Sequence, residues 1–305
     1  MNSFLVVTDS ASIAEESREL LEELLGHVVV EVVHEDGRLA LSRLERRAYD
    51  LVLLPLELRK MEALTLLRAV GPEVASRIAL LTPDTLDGFR TAWEGMRLGA
   101  RDLVPTKGQP PQRLKGHHDL RLRQIAWHLS HPGSLAPLSL PSVDEFDLEG
   151  PVVLVPETRH LVAVAEWIVG LPRTVPVVLR APEGARLRRV LGEELTRWIP
   201  WPTRSLKHGD RLAPGHVHLF AEPEAIELNG DRERCIARVV PNVGAPGSWS
   251  ARRDLLSHVA GSTVPFTLWT GDPLEPEEEE LALAGGFAHV VCDRDSTGRW
   301  QENAA

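Results

Sequence analysis

The stretch FLVVTDSASIAEESRELLEELLG, residues 4–26, decides the fold of the first half of the chain. It opens with a short apolar run and continues with a stripe of leucines at helical spacing between residues 20 and 25. Ser12 and Glu15 have the spacing of a capping box, and Gly26 follows the last apolar residue. The stretch therefore predicts a buried strand followed by an amphipathic helix.

The same alternation of strand and helix continues to residue 106. Further apolar runs lie at Val28–Val33, Leu51–Leu54, Ile78–Leu81 and Leu103–Val104, and helical patterns lie at 37–47, 61–70, 87–98 and 111–129. Continuous apolar strands that alternate with helices are typical of a parallel sheet covered on both faces. We predict a flavodoxin-like α/β domain with a five-stranded parallel sheet over residues 1–130.

A segment rich in proline and serine, residues 131–150, is typical of a linker between domains. A second α/β pattern begins at Pro151, with predicted strands and helices that alternate to the end of the chain. We therefore predict a second, doubly wound α/β domain over residues 151–305.

Composition narrows the classes of function. The 305 residues carry 34 basic and 44 acidic side chains, a formal charge of -10, which argues against non-specific nucleic-acid binding. The sequence offers neither an apolar run long enough for a membrane span nor the pattern of a signal peptide, so we expect no membrane insertion. Two cysteines, Cys235 and Cys292, fit buried thiols of a cytoplasmic protein, and the sequence suggests no cofactor.

Four segments of the first half resemble two-component receiver domains. They are VVTDSA, YDLVLLPLEL, IALLT and GARDLVPT, in the order and at the spacing of that family. The resemblance implies an acid pair for Mg²⁺, a phosphoryl-accepting Asp, a hydroxyl residue and a Lys, because developing phosphoryl charge needs a metal ion and an ammonium group.

This chain departs from that pattern at most positions. The acid pair becomes Thr8 and Asp9, the acceptor becomes Pro55, the hydroxyl residue is Thr82, and the lysine position holds Thr106. Proline has no carboxylate to phosphorylate, and one acid does not make the usual magnesium site. We therefore expect a pseudo-receiver, with neither phosphorylation nor a metal site.

The second half resembles the catalytic domain of the chemotaxis protein-glutamate methylesterases. The most specific segment is HGDRLAPGHVHLFAEP, residues 208–223, and weaker matches lie at 171–184, 251–260, 266–271 and 281–296. The order of receiver, linker and esterase adds weight. This resemblance implies an enzyme that removes methyl groups from glutamate esters on chemoreceptors with a Ser–His–Asp triad.

The triad is degenerate in this sequence. The positions of the nucleophile, base and orienting acid hold Glu157, Arg180 and Glu275. A guanidinium stays protonated and cannot act as a base. We expect esterase activity near background, and an ion-pair cluster in which Arg180 bridges one or both glutamates.

Several interpretations stay open at this point. The leading one is a non-enzymatic binding or regulatory module whose partners are a histidine kinase, a chemoreceptor or an adaptor, docked near residues 86–98 and 111–129. The alternatives are an active methylesterase or deamidase, and phosphate-independent regulation by a small molecule or an ion that binds at the relic pocket. His216 and His218 alternate along a predicted strand; packing in the core is the default interpretation, and a metal pair is the alternative.

Overall fold

The structure of the chain is a computed structural model. It describes residues 2–106, 122–123, 125–126, 129, 148, 150–181, 185–221, 224–231, 234–241, 256–258, 262–264, 266–270 and 289–291. The chain divides into two compact units, Met1–Leu135 and Ala136–Ala305.

A parallel five-stranded sheet forms the centre of the first unit. Its elements are β1 (Asn2–Val7), α1 (Ala11–Leu25), β2 (Val28–Val33), α2 (Gly37–Arg46), β3 (Leu51–Pro55), α3 (Ala63–Ala75), β4 (Ile78–Pro83), α4 (Leu86–Arg97) and β5 (Asp102–Thr106). The strand order is β2-β1-β3-β4-β5, and every pair is parallel. The predicted flavodoxin-like α/β fold is confirmed for this unit.

Helix α1 ends as predicted but begins two residues before the expected start. Gly26 has φ 74° and closes the helix, because only glycine adopts this backbone conformation without strain. The predicted capping box is wrong: Ser10 is the N-cap and accepts a hydrogen bond from the backbone N–H of Ile13 at 3.3 Å. Ser12 lies inside the helix, where its hydroxyl bonds to Glu16 at 2.9 Å. The backbone of Ser10 is still extended after β1, so the helix begins at the next residue, Ala11.

The predicted fifth helix is described in part. Residues 122–123, 125–126 and 129 are helical. Leu122, Ile125 and Ala126 are buried in the core formed by β1, β3 and α1. The guanidinium of Arg123 donates two hydrogen bonds of 3.0 Å to the carboxylate of Glu23 on α1. The rest of the basic segment 107–121 and the predicted linker 131–150, apart from residues 148 and 150, lie outside the described residues.

A second parallel sheet, of six strands, forms the centre of the other unit. Its elements are β6 (Val152–Leu154), α5 (Leu161–Gly170), β7 (Val177–Ala181), α6 (Ala185–Trp198), β8 (Thr203–Ser205), β9 (Val217–Ala221), β12 (Thr267–Trp269) and β13 (His289–Val291), with an antiparallel hairpin of β10 (Glu224–Asn229) and β11 (Ile236–Pro241). The strand order is β13-β12-β6-β7-β9-β8, with β12 and β13 on one side of β6 and β7, β9 and β8 on the other. This is a doubly wound α/β sheet, as predicted.

Strand order fixes where a site can form in each unit. The chain leaves β1 for β2 on one side and later returns to β3 on the other, and β6 is likewise flanked by β7 and β12. In open α/β sheets the crevice at such a switch point, outside the carboxyl ends of the strands, is where ligands bind. The residues that follow β1 and β3, and those that follow β6, β7 and β12, therefore form the two candidate sites.

Candidate functional site

Asp9, the one remaining acid of the expected pair, lies at the carboxyl end of β1. Its carboxylate is held by donors from two loops: the ring Nδ1 of His34 at 2.9 Å, the backbone N–H of Glu35 at 3.2 Å, and the guanidinium of Arg59. The hydrogen bond from His34 is the main cause that holds the pKa of Asp9 below its usual value, and Arg59 adds to it. Asp9 is therefore a carboxylate whose oxygens are already engaged.

The neighbouring carboxylate is engaged in the same way. Asp36 caps α2 by accepting hydrogen bonds from the backbone N–H groups of Arg38 and Leu39, and it forms an ion pair with Lys60. The hydrogen bond from Lys60 is the main cause that lowers the pKa of Asp36. Lys60 has φ 62°, a left-handed conformation that is rare outside glycine and marks a tight turn in the β3–α3 loop.

The remaining positions of the expected phosphorylation site are buried and satisfied by the backbone. The hydroxyl of Thr82 donates to the carbonyl of Leu80 at 3.0 Å, and that of Thr106 donates to the carbonyl of Thr82 at 3.2 Å. Pro55 is buried at the end of β3. Thr8 is also buried, with its hydroxyl 3.5 Å from a carboxylate oxygen of Glu35.

The residues at this edge do not fit the magnesium site of a receiver. A divalent cation of this kind needs several oxygen ligands, among them two or more carboxylates. The carboxylate of Asp9 instead accepts hydrogen bonds from Arg59 and His34, and Thr8 and Pro55 replace the acids that the resemblance calls for. Sequence analysis missed Arg59, Lys60 and His34, because their pairing joins loops far apart in the chain.

In the second unit, Glu157 lies after β6 at the start of a single 3₁₀ turn, Thr158–His160. Its carboxylate accepts a hydrogen bond from Nε of Arg159 at 3.0 Å, with both side chains mostly shielded from solvent. Thr158 and His160 are buried. At the position that the resemblance gives to a nucleophile, the turn therefore presents an ion-paired carboxylate.

Arg180 lies near the carboxyl end of β7, the strand next to β6. It is buried, with 8% of its surface exposed. Glu275, the third member of the predicted cluster, lies outside the described residues. Glu157 forms an ion pair with Arg159, a neighbour that sequence analysis did not consider as a partner. Bridging of the glutamates by Arg180 stays a prediction.

Two aromatic rings, those of His160 and Trp269, are in contact at the carboxyl edge of the second sheet. The ring of His160 meets the indole of Trp269, the last residue of β12, edge to face, with centroids 6.0 Å apart and an interplanar angle of 74°. Trp269 and the following Thr270 are almost fully buried. The apolar pattern of β12 predicted the burial of Trp269, but no sequence signal joined it to His160.

The predicted metal alternative at His216 and His218 does not hold for His218. Its Nδ1 receives the Nε–H of Arg204 at 3.3 Å, and its Nε2 lies 3.0 Å from the backbone nitrogen of Ala213. Burial, followed by the charge of Arg204, lowers the pKa of His218 to about 4. His218 is a core histidine, which agrees with the default interpretation. In the described part of the chain, no three His, Cys, Asp or Glu side chains group as metal ligands would.

The other notable side chain of this unit is Cys235. It is buried, and burial raises the pKa of its thiol to about 11, which keeps it an unreactive thiol at neutral pH. Cys292 lies outside the described residues. Among the described helices, none has the length and apolar character needed to span a membrane.

The two units define a class: a flavodoxin-like α/β domain with five parallel strands, followed by a doubly wound α/β domain. Of the expected triad positions, Glu157 follows β6 and Arg180 lies on the adjacent strand β7. No protein-family model matches the chain. It is 27% identical over 307 residues to a protein-glutamate methylesterase/protein-glutamine glutaminase of Pseudomonas aeruginosa, covering 93% of this chain and 85% of that protein. A Myxococcus xanthus protein of the same name is 23% identical over 303 residues, covering 92% of this chain and 84% of that one.

Comparison with solved structures gives partial matches. The catalytic domain of the Thermotoga maritima CheB methylesterase matches 46% of this chain and 77% of its own length, at 16% identity and a TM-score of 0.37. The receiver domain of a Syntrophus aciditrophicus histidine kinase matches 46% of this chain and 98% of its own length, at 24% identity and a TM-score of 0.34. From the curated relatives, this chain is similar over most of its length to protein-glutamate methylesterases of the CheB type.

Proposed function

We propose that this protein is a catalytically degenerate relative of the methylesterases that acts as a binding or regulatory module in a bacterial chemosensory pathway, without phosphorylation. Two findings support the proposal. The similarity to methylesterases covers most of the chain. The side chains at the two switch-point edges are unsuited to phosphorylation and to ester hydrolysis. Its cytoplasmic location is part of the same proposal.

The observation that carries the proposal is the pairing of Glu157 with Arg159 next to the strand that holds Arg180. A carboxylate bound to a guanidinium is a poor nucleophile, since its charge is already neutralised by its partner. Arg180 stays protonated at every physiological pH and takes no proton from a nucleophile. In a triad protease, loss of the nucleophile or of the base alone costs about a millionfold in rate.

Independence from phosphorylation is supported by the receiver-like edge. Phosphoryl transfer to a receiver needs a carboxylate acceptor and a metal ion between acids. Here the acceptor position is Pro55, and Arg59 brings a fixed positive charge to Asp9. Arg59 thus occupies the carboxylate that a metal ion would need, and we propose that the module binds its partner without phosphorylation.

The proposed partners are a histidine kinase, a chemoreceptor or an adaptor of the pathway. The proposed contact surface includes α4, because receiver domains dock partners near their fourth helix according to the resemblance. On this helix Asp87 is 94% exposed at its side chain and pairs with Arg90 one turn away. Because Asp87 is exposed, its replacement by lysine reverses a surface charge without disturbing the core.

The test is calorimetry of the full chain against the chemosensory proteins encoded beside it, with and without acetyl phosphate and Mg²⁺. We expect one of them to bind with the same affinity in both conditions, and Asp87→Lys to weaken that binding. Glu73→Lys on α3 is the matched control, since Glu73 is 88% exposed and pairs with Arg77 in the same manner. Affinity that depends on acetyl phosphate, or a lack of binding to all of them, would contradict the proposal.

A further inference from the structure

A basic groove lies between α6 and β8 at one edge of the six-stranded sheet. It has a volume of about 620 Å³. Its helix side is formed by residues at helical spacing, Arg188, Arg189, Gly192, Glu193, Thr196 and Arg197, and its strand side by Thr203, Arg204, Ser205 and Leu219. The groove therefore joins the side chains of one helix face to the backbone of an edge strand.

Strand β8 offers backbone groups that the sheet does not use. It pairs with β9 on one side and ends the sheet on the other. The carbonyl of Pro202 and the N–H of Leu206 bond to β9. Because hydrogen bonds alternate in direction along a strand, the N–H and C=O groups of Thr203 and Ser205 point away from β9. Among the described residues, none bonds to these groups.

The charge of the groove differs from that of the whole chain. The guanidinium of Arg204 is held by His218 and by the carbonyl of Arg211. The charges left to the groove are those of Arg188, Arg189, Arg197 and Glu193, in a protein whose formal charge is -10. Arg189 pairs with Glu193 at 2.9 Å and Arg197 with Glu194 at 2.6 Å, both as exposed pairs within the helix. Arg188 forms no ion pair with any residue in the described part of the chain. The groove is a local positive field on an acidic protein, which attracts acidic ligands.

We propose that this groove binds an acidic segment of a partner protein in extended conformation, added as a strand to the outer edge of β8. Backbone hydrogen bonds to Thr203 and Ser205 would give the segment its direction. Carboxylates at alternate positions, which share one face of a strand, would meet the guanidinium groups of Arg188 and Arg197. This binding surface shares no residue with either switch-point edge, and the inference does not depend on the proposed function.

The probe is a fluorescein-labelled peptide, acetyl-Glu-Val-Glu-Thr-Glu-Val-amide, titrated with the full chain at low ionic strength and followed by anisotropy. We expect saturable binding that weakens as salt is added, because exposed ion pairs are screened. A peptide in which Lys replaces every Glu should not bind. A third peptide, N-methylated at alternate residues, keeps the charge but removes the donors needed for strand pairing, and should bind weakly.

Two variants of the protein test the same contacts. Arg188→Ala combined with Arg197→Ala should weaken binding of the acidic peptide by about tenfold, which lies within the range expected for the loss of two exposed ion pairs. The control is Arg68→Ala combined with Arg238→Ala, which changes the net charge equally at exposed arginines outside the groove and should leave the affinity within about twofold. Ser205→Pro removes an outward N–H without touching the bonds to β9, and should weaken binding as well.

Other outcomes would overturn the proposal. Equal losses in the groove and control variants would mean that net charge alone attracts the peptide. Equal binding of the N-methylated peptide would rule out strand addition. Tighter binding of a thymidine hexanucleotide than of the acidic peptide would identify the groove as a nucleic-acid surface, and no binding of the peptide at low salt would leave the groove without the proposed ligand.

Discussion

Arg59, in the loop after β3, donates a hydrogen bond to the carboxylate of Asp9 at the end of β1, fifty residues earlier in the chain. The pair joins the two strands that flank the switch point of the first sheet. A receiver would bring a metal ion to this acid, whereas this chain brings its own cation. The negative charge of Asp9 is thus balanced by an arginine of the same chain.

The loop that carries Arg59 is held in place by Gly37 at the start of α2. The N–H of Gly37 donates to the carbonyl of Arg59 at 2.9 Å, and a Cβ at this position would lie 2.3 Å from the carbonyl oxygen of Met61. We predict that Gly37→Ala destabilises the first unit by about 1–3 kcal/mol, since backbone must move to admit the methyl group. Urea unfolding measures the loss, and amide chemical shifts of residues 59–61 report the movement of the loop.

A control for this prediction is Gly26→Ala. At Gly26 a Cβ would meet no atom within 4 Å, so Gly26→Ala is destabilised only by the backbone strain of the positive φ. It should leave the chemical shifts of residues 59–61 unchanged. Unchanged stability and unchanged loop shifts in Gly37→Ala would show that Gly37 does not hold the Arg59 loop.

The single tyrosine provides a spectroscopic test of the first unit. The hydroxyl of Tyr49 donates a hydrogen bond of 2.7 Å to the carboxylate of Glu31 on β2. Burial and this carboxylate raise the pKa of Tyr49 to about 12, because both disfavour the phenolate. We predict a tyrosinate absorbance midpoint near this value, and a lower midpoint in Glu31→Gln. A midpoint at the ordinary value of 10.0 in protein that circular dichroism shows to be folded would contradict the contact.

Helix α1 and strand β8 differ in how well the sequence predicts their structure. Residues 11–25 carry an apolar stripe and a terminal glycine, so local information specifies the helix and its end. Strand β8 is three residues, Thr-Arg-Ser, without an apolar run, and its strand conformation follows from pairing with β9, a contact that no local pattern encodes. The same holds for the sites: Asp9 and Glu157 were identified by position, while their partners Arg59 and Arg159 depend on how loops fold over the sheet edge.

His218 makes the stability of the second unit sensitive to acid. Its pKa is lowered from 6.5 to about 4 in the folded chain, so between these values the unfolded chain binds a proton that the folded chain does not. Stability is therefore present above pH 6.5 and is lost as pH falls towards 4. We predict that this decline is smaller in His218→Gln, measured as the free energy of unfolding at pH 7 and at about pH 5.

The nearby His216 provides the control, because its Nδ1 bonds to the carbonyl of Pro214 at the rim of the same loop. His216→Gln should retain most of the pH dependence of the parent chain, because His216 contributes less to the lowered pKa of His218 than burial and Arg204 do. The carboxylates of Asp9 and Asp36, whose pKa values lie below 3.8, act at lower pH and do not overlap with this window. An unchanged pH dependence in His218→Gln would refute the assignment to His218.

The central claim is that the methylesterase frame has lost its chemistry, and methanol release from methylated chemoreceptor tests it most directly. Glu157→Ser combined with Arg180→His provides a comparison that restores the expected nucleophile and base at their positions. The account predicts that the parent chain releases methanol at the rate of the blank. Release well above the blank that Arg180→Ala abolishes would contradict it.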